Sequence, residues 1–252
     1  MSASSHEWHQ RFVRQAAWTQ TLRHYLFQRA NLNQAKRILE IGCGTGAVLS
    51  QVSPGSALLY GLDNNRQHLD LCAQNTPGAI LMQGDAFRLP LPCVSFDLIY
   101  SHFLFLWLPQ PLEALVEMRR IARPGAVILC IAEPDYGGRI DYPQELVRLG
   151  ILQIEALRRQ GANPNTGRLL SEIFNQAGLT DIQTGVLGGE WQGAISADDF
   201  ESEWATLDRD LSGFIEPDKL LEYKELDRLA WDSGSRALYV PTFYAHGRVP
   251  AQ

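Results

Sequence analysis

Three glycines at alternate positions, Gly42, Gly44 and Gly46, follow the run Arg37-Ile38-Leu39-Glu40-Ile41, with Cys43 and Thr45 between them. Glycine has no Cβ, so a ligand can lie directly against the backbone of such a turn. Val48, Leu49 and Val52 predict a helix next, whose unpaired N–H groups and positive dipole end would face the same ligand. By itself this is a site for a nucleotide-type ligand. Glu40 sharpens it. A carboxylate inside an apolar strand is costly unless it is used, and two residues before Gly42 it overhangs the mouth of the turn. Two more acids end apolar runs: Asp63 after residues 57–62, and Asp85, within Gly84-Asp85-Ala86, after residues 79–82. Each offers two acceptor oxygens to a ligand; each also suits a helix cap. His102, Asp135, Tyr136, Tyr244 and His246 are the candidate bases, and their spacing forms no recognisable dyad.

The elements that must position these groups alternate regularly. Residues 8–30 predict one or two helices, packed on the sheet edge and also placed to cover the glycine turn. Strands at 37–41, 57–62, 79–82, 96–100 and 126–132 are separated by helices, one beginning at Asn64-Asn65-Arg66 and one spanning 109–121 with Leu112, Leu115 and Val116 inward. That alternation means a parallel, doubly wound α/β sheet, and the almost unbroken apolar runs agree, because such sheets are covered on both faces. Every polar residue singled out follows the carboxyl end of a strand, where open α/β sheets bind ligands. Residues 103–107, with Phe103, Phe105 and Trp107, read as core. Residues 133–143 read as a loop. Helices follow at 144–159, with Val147, Ile151, Ile154 and Leu157 aligned, and at 166–177, ending at Gly178. The last strands are 180–187 and 237–247.

Between those strands lies an insertion, residues 191–236, read as helices at 197–211 and 216–231. It carries twelve acids against five bases, plus Trp191, Phe200, Trp204, Phe214, Tyr223 and Trp231. It suits a cap over a small or cationic substrate, or a solvated helix pair with its aromatics facing in. The net charge of −6 argues against a nucleic-acid partner. No apolar run is long enough for a membrane span. Residues 1–7 lack a signal-peptide pattern, and the four scattered cysteines fit neither zinc nor a disulfide framework. The expectation is one reduced, cytoplasmic, enzyme-sized domain without a metal; monomer and homodimer both stay open.

Taken together, Glu40-Ile-Gly42-Cys43-Gly44-Thr-Gly46, Gly61-Leu62-Asp63, Gly84-Asp85-Ala86, residues 96–101 and residues 121–126 resemble, in register, the motifs of class I S-adenosylmethionine-dependent methyltransferases, nearest their small-molecule, quinone-precursor subgroup. The resemblance covers about residues 36–134. It implies a seven-stranded sheet of order 3-2-1-4-5-7-6 with strand 7 antiparallel. It implies S-adenosylmethionine as cofactor and transfer of its methyl group to O, N or C of a small molecule. Residue by residue, it implies that Gly42, Cys43, Gly44 and Gly46 approach the methionine part and ribose, and that Glu40 supports that turn or contacts the cofactor's amino group through water. Asp63 would take the ribose hydroxyls. Asp85 and Ala86, with Gly84, would meet the adenine. Ser101 and His102 would flank the methyl. Asn64 departs from the apolar residue many relatives place against adenine. Two other readings stay open. Gly42-x-Gly44-x-x-Ala47 with Asp63 also fits a dinucleotide fingerprint, hence an NAD(P)-dependent oxidoreductase. A cofactor-binding partner subunit without activity is the second.

Overall fold

The computed structural model describes residues 5–53, 55–188 and 195–251; Trp191, read above as part of the insertion, lies outside them. Two helices come first, α1 (Ser5–Trp18) and α2 (Gln20–Arg29). Then β1 (Arg37–Ile41), β2 (Leu58–Asp63), α3 (Arg66–Asn75), β3 (Ile80–Gln83), β4 (Phe96–His102), α4 (Pro111–Ile121) and β5 (Ala122–Pro134) alternate as the apolar runs dictate. The sequence cue for α3 works as expected: the Asn65 side chain accepts from the Gln67 and His68 N–H groups and caps the helix. The second half holds β6 (Ile140–Tyr142), α5 (Val147–Arg159), α6 (Leu170–Gln176), β7 (Thr180–Leu187), α7 (Ala197–Leu211), α8 (Pro217–Asp232), β8 (Ala237–Tyr239) and β9 (Thr242–Arg248).

Seven strands form one sheet in the order β3-β2-β1-β4-β5-β9-β7. Strands β1 to β5 pair parallel, and β9 runs antiparallel to both its neighbours. This is the expected order, with β7 and β9 as the sixth and seventh strands. Residues Val127 to Ala132 of β5 are buried throughout, because apolar clusters cover both faces of the sheet.

Three local readings need correction. The helix expected after the glycine turn is a single 3-10 turn, Leu49–Gln51, since Val52 is already extended and Pro54 follows. The strand expected over 237–247 is broken at Pro241, which has no N–H to give a ladder. Its first piece, β8, pairs with β6 inside the supposed loop 133–143, making a separate two-stranded sheet. The inward faces of two helices are also shifted. In α4, Ala114, Leu115, Met118 and Ile121 are buried, whereas Val116 is exposed. In α5, Leu149, Leu152 and Ala156 are buried, whereas Ile151 is exposed. The α5 shift has a clear cause: its partner is the insertion, whose Phe200, Trp204, Leu211 and Ala230 pack on that face as a third core.

A buried charge chain ties the insertion to the rest. Arg236, whose side chain is 1% exposed, donates to Asp141 on β6 (2.9 Å) and to Asp227 on α8 (2.6 Å). Asp141 also accepts from Arg139 (2.6 Å), and Asp227 from the Trp204 indole on α7 (2.8 Å). Two arginines and two aspartates balance, and every carboxylate oxygen has a donor, the condition for a tolerable buried ion pair.

Candidate active site

The glycine turn follows β1 directly. Gly42, Gly44 and Gly46 all take left-handed backbone, with φ of 73°, 51° and 83°. Side chains there would also collide: a Cβ on Gly42 would lie 2.9 Å from Leu104, and one on Gly46 would lie 2.8 Å from Thr76 Oγ1. The turn is bound to the next strand at both ends. Gly42 and Cys43 N–H groups donate to the Leu62 carbonyl (2.7 and 3.0 Å). Asp63 at the end of β2 accepts from Gly44 N through Oδ2 and from Asn65 N through Oδ1, both at 2.8 Å. Each oxygen keeps a further lone pair for a ligand.

A cavity of about 510 Å³ opens above this turn. One end is walled by Gly42, Cys43, Gly44, Asp63, Asn64, Asn65 and His68. Helix α1 lies across it: a Cβ on Gly44 would meet the Phe12 ring at 3.2 Å, and His9 Nδ1 pairs with Thr45 Oγ1 at 2.8 Å. Glu40 reaches the cavity from below while only 2% exposed. Burial pushes its carboxyl well above the usual range, against the Tyr100 hydroxyl that donates to it at 3.0 Å.

The rest of the wall is largely aromatic, and Phe12 lies against the turn itself. Trp8 and Phe12 come from α1, and Phe103 and Trp107 from the segment after β4; Tyr136 comes from the turn after β5. The run read as core therefore divides: Phe105 is fully buried, but Phe103 and Trp107 face the cavity. His102 lines the same cavity. Its Nε2 pairs with Thr19 Oγ1 at 2.8 Å, and Thr19 also accepts from Arg23 at 2.5 Å. Burial, with Arg23 adding to it, lowers the imidazole to about 3, so the ring is neutral across the physiological range.

A residue with no signal in the sequence holds this wall. Glu133, at the end of β5, is fully buried and accepts from the Leu104, Phe105 and Leu106 N–H groups at 3.0, 3.0 and 3.1 Å. Burial outweighs these donors and raises its carboxyl from 4.5 to about 7. Between pH 4.5 and 7 the unfolded chain therefore loses this proton before the native one does. Stability from this group is fullest below 4.5 and falls as pH rises through 7, by about 3 kcal/mol for such a shift. We expect Glu133→Gln to melt lower than the parent and to lack this part of the slope. Melting temperatures of both proteins from pH 4.5 to 8 check it; parallel curves would refute the assignment.

The structure thus brings Glu40, Gly42, Cys43, Gly44, Asp63, Asn64, His102 and Tyr136 to one cavity. It sets the other expected residues elsewhere. Gly46 packs on Cys72 and Thr76 of the α3 end. Gly84, Asp85 and Ala86 are not on the wall, and the exposed Asp85 accepts from its own Phe87 N–H at 2.9 Å. Ser101 is fully buried, with Cys130 Sγ 3.7 Å from its hydroxyl. Asp135 is held by Arg168 (2.8 Å) and by Gly137 N (3.1 Å). Tyr244 and His246 lie in β9, off the cavity. Leu157 and Gln160 of the α5 end stand on the wall in place of the insertion, whose described residues do not reach it.

The turn, the two-oxygen acid beside it and the cradle without Cβ atoms fit a nucleoside cofactor. After Gly46 the chain makes only a 3-10 turn, not the longer helix whose N-terminus commonly binds a pyrophosphate. This defines a Rossmann-like domain with a nucleoside-type site. Comparison with known proteins agrees. Residues 39–130 match the family described as "Methyltransferase domain". The demethylmenaquinone methyltransferase of Geobacillus kaustophilus is 30% identical over 195 residues, 68% of this chain and 81% of that protein. An uncharacterized methyltransferase of Schizosaccharomyces pombe is 29% identical over 153 residues, 55% of each. The chain spans about half the length of most of the curated relatives it matches. In fold, it is similar to Haemonchus contortus phosphoethanolamine N-methyltransferase 2 in complex with phosphomonomethylethanolamine and S-adenosylhomocysteine (TM-score 0.58, 17% identity, 93% of this chain and 53% of that one). The chain belongs to the class I S-adenosylmethionine-dependent methyltransferases, in their type 11 group.

Proposed function

We propose that this protein transfers a methyl group from S-adenosylmethionine to an O, N or C atom of a small aromatic molecule. The observation that carries the reading is the single cavity, which joins the glycine turn and Asp63 to an aromatic chamber under α1. When bound, the cofactor supplies an activated methyl on a sulfonium. Gly42, Cys43 and Gly44 would carry its methionine part and ribose on their backbone, with Glu40 beneath them. Asp63 would take the ribose hydroxyls. Asp85 and Ala86 remain the proposed adenine partners.

The chamber's task is alignment and exclusion of water, which can lower the barrier by about 7–11 kcal/mol at best. Its titratable groups suit that task better than strong base catalysis. Burial holds the Tyr136 hydroxyl protonated, and His102 is a weak base with one nitrogen engaged. Asp135 is committed to Arg168. His102 and Tyr136 would then orient the acceptor, which attacks in a form that is already nucleophilic. The net charge of −6 and a cavity of about 510 Å³ favour a small molecule over nucleic acid.

The test is calorimetric titration with S-adenosylhomocysteine, with NAD as control. Micromolar binding of the first alone is expected; binding of NAD instead, or of neither, would overturn the reading. Cofactor binding without release of S-adenosylhomocysteine across a broad panel of small aromatic acceptors would favour a partner subunit.

A further inference from the structure

We propose that the chamber under α1 holds its aromatic acceptor by a carboxylate, gripped by Arg11 with the Tyr136 hydroxyl beside it. The proposal rests on the methyl-transfer reading above and names the class of acceptor. Arg11 projects from α1 onto the cavity wall and is half-buried there. Among the described residues its guanidinium has no hydrogen bond or ion pair; it stands over the Trp8 ring, 5.3 Å from the centroid. Its N–H donors stand at the cavity wall with no protein acceptor and are open to a ligand. Burial presses Arg11 towards its neutral form, with Asp210, Tyr136 and Glu203 pulling the other way.

Those two acids decide the sign of the missing charge. Asp210 and Glu203 sit on α7, form no ion pair with Arg11, and stand off the cavity wall, with Asp210 Oδ2 buried and unpartnered among the described residues. Asp210 Oδ1 is engaged, at 3.4 Å, by Gln160. A cationic acceptor would meet Arg11 before it met either acid. An anionic one finds a planar fork matched to a carboxylate. One guanidinium balances one negative charge, so a carboxylate fits and a phosphate dianion is left half-neutralised. Tyr136 adds a neutral donor, since its hydroxyl has no hydrogen bond among the described residues. Trp8, Phe12, Phe103 and Trp107 surround the same space, which calls for a ring between the carboxylate and the reacting atom.

Three probes share a ring and differ in charge: 4-hydroxybenzoate, 4-methylphenol and tyramine. Each is titrated calorimetrically into the full chain saturated with S-adenosylhomocysteine. The acid should bind most tightly, and Arg11→Met should lower its affinity about ten- to hundredfold while leaving 4-methylphenol unchanged. Arg11→Lys, which keeps the charge without the fork, should lose less. Uptake of S-adenosylhomocysteine by each variant serves as the folding control. Tyramine binding best, equal affinity for the three, no binding of the acid, or an unchanged Arg11→Met would each overturn the proposal alone. A protein that takes up no S-adenosylhomocysteine would overturn the methyl-transfer reading, and this proposal with it.

Discussion

Asp63→Ala should bind S-adenosylhomocysteine at least about a hundredfold more weakly than the parent protein, because two hydrogen bonds to a carboxylate are worth about 1.5–3 kcal/mol each. The loss has two sources. A ribose would lose a partner that accepts from both hydroxyls. The turn would lose the brace at Gly44 N and Asn65 N, so its left-handed glycines would no longer be held ready for a ligand. Asp63→Asn separates these sources, since its amide oxygen can still accept from one backbone N–H while the charge is gone. Calorimetry on both variants, with circular dichroism to establish folding, makes the measurement. Affinity unchanged in folded Asp63→Ala would remove Asp63 from the cofactor site.

The largest effect on stability is expected from Asp227→Ala. The carboxylate is 6% exposed and takes hydrogen bonds from Arg236 and Trp204. Its removal leaves Arg236 with Asp141 as its sole carboxylate partner and the Trp204 indole N–H without one. Breaking one side of a buried ion pair costs about 3–5 kcal/mol, which lowers the melting temperature of a domain this size by about 10 °C or more. The double variant Asp227→Leu, Arg236→Met should recover part of the loss, because no uncompensated charge is then buried beside α8. Thermal and urea melts check both. A single variant within about 1 kcal/mol of the parent, the range of an exposed pair, would show that the chain of charges does not hold the insertion. Because α7 reaches α1 through Arg209, 4.6 Å from the Trp8 ring, loosening the insertion should also weaken acceptor binding.

The parts of this protein legible from residues alone were those governed by neighbours in the chain. Apolar runs of strand length separated by helices specify a parallel sheet. Alternating glycines after one strand, and acids after the next two, mark its carboxyl edge as the ligand side. Asn65 caps α3 because its side chain reaches N–H groups two and three residues on. The boundaries of β7 and α7 match their sequence patterns for the same reason.

What the tertiary structure decided were matters of partner and distance. Helix α5 was given a shifted inward face, with Leu157 buried as read but Ile151 exposed, because periodicity finds a stripe but not what covers it, and here the cover is the insertion, not the sheet. Glu133 looked like the end of a strand; its role depends on three N–H groups from residues 104–106, brought to it by the pairing of β4 with β5. Ser101 and His102 are neighbours, but alternation along β4 turns one into the core and the other to the cavity. Arg11 was one of three charged residues on an amphipathic helix until α1 was laid across the glycine turn. Sequence carries the local pattern of a site; which side chains share one cavity is set by long-range packing, which no spacing along the chain encodes.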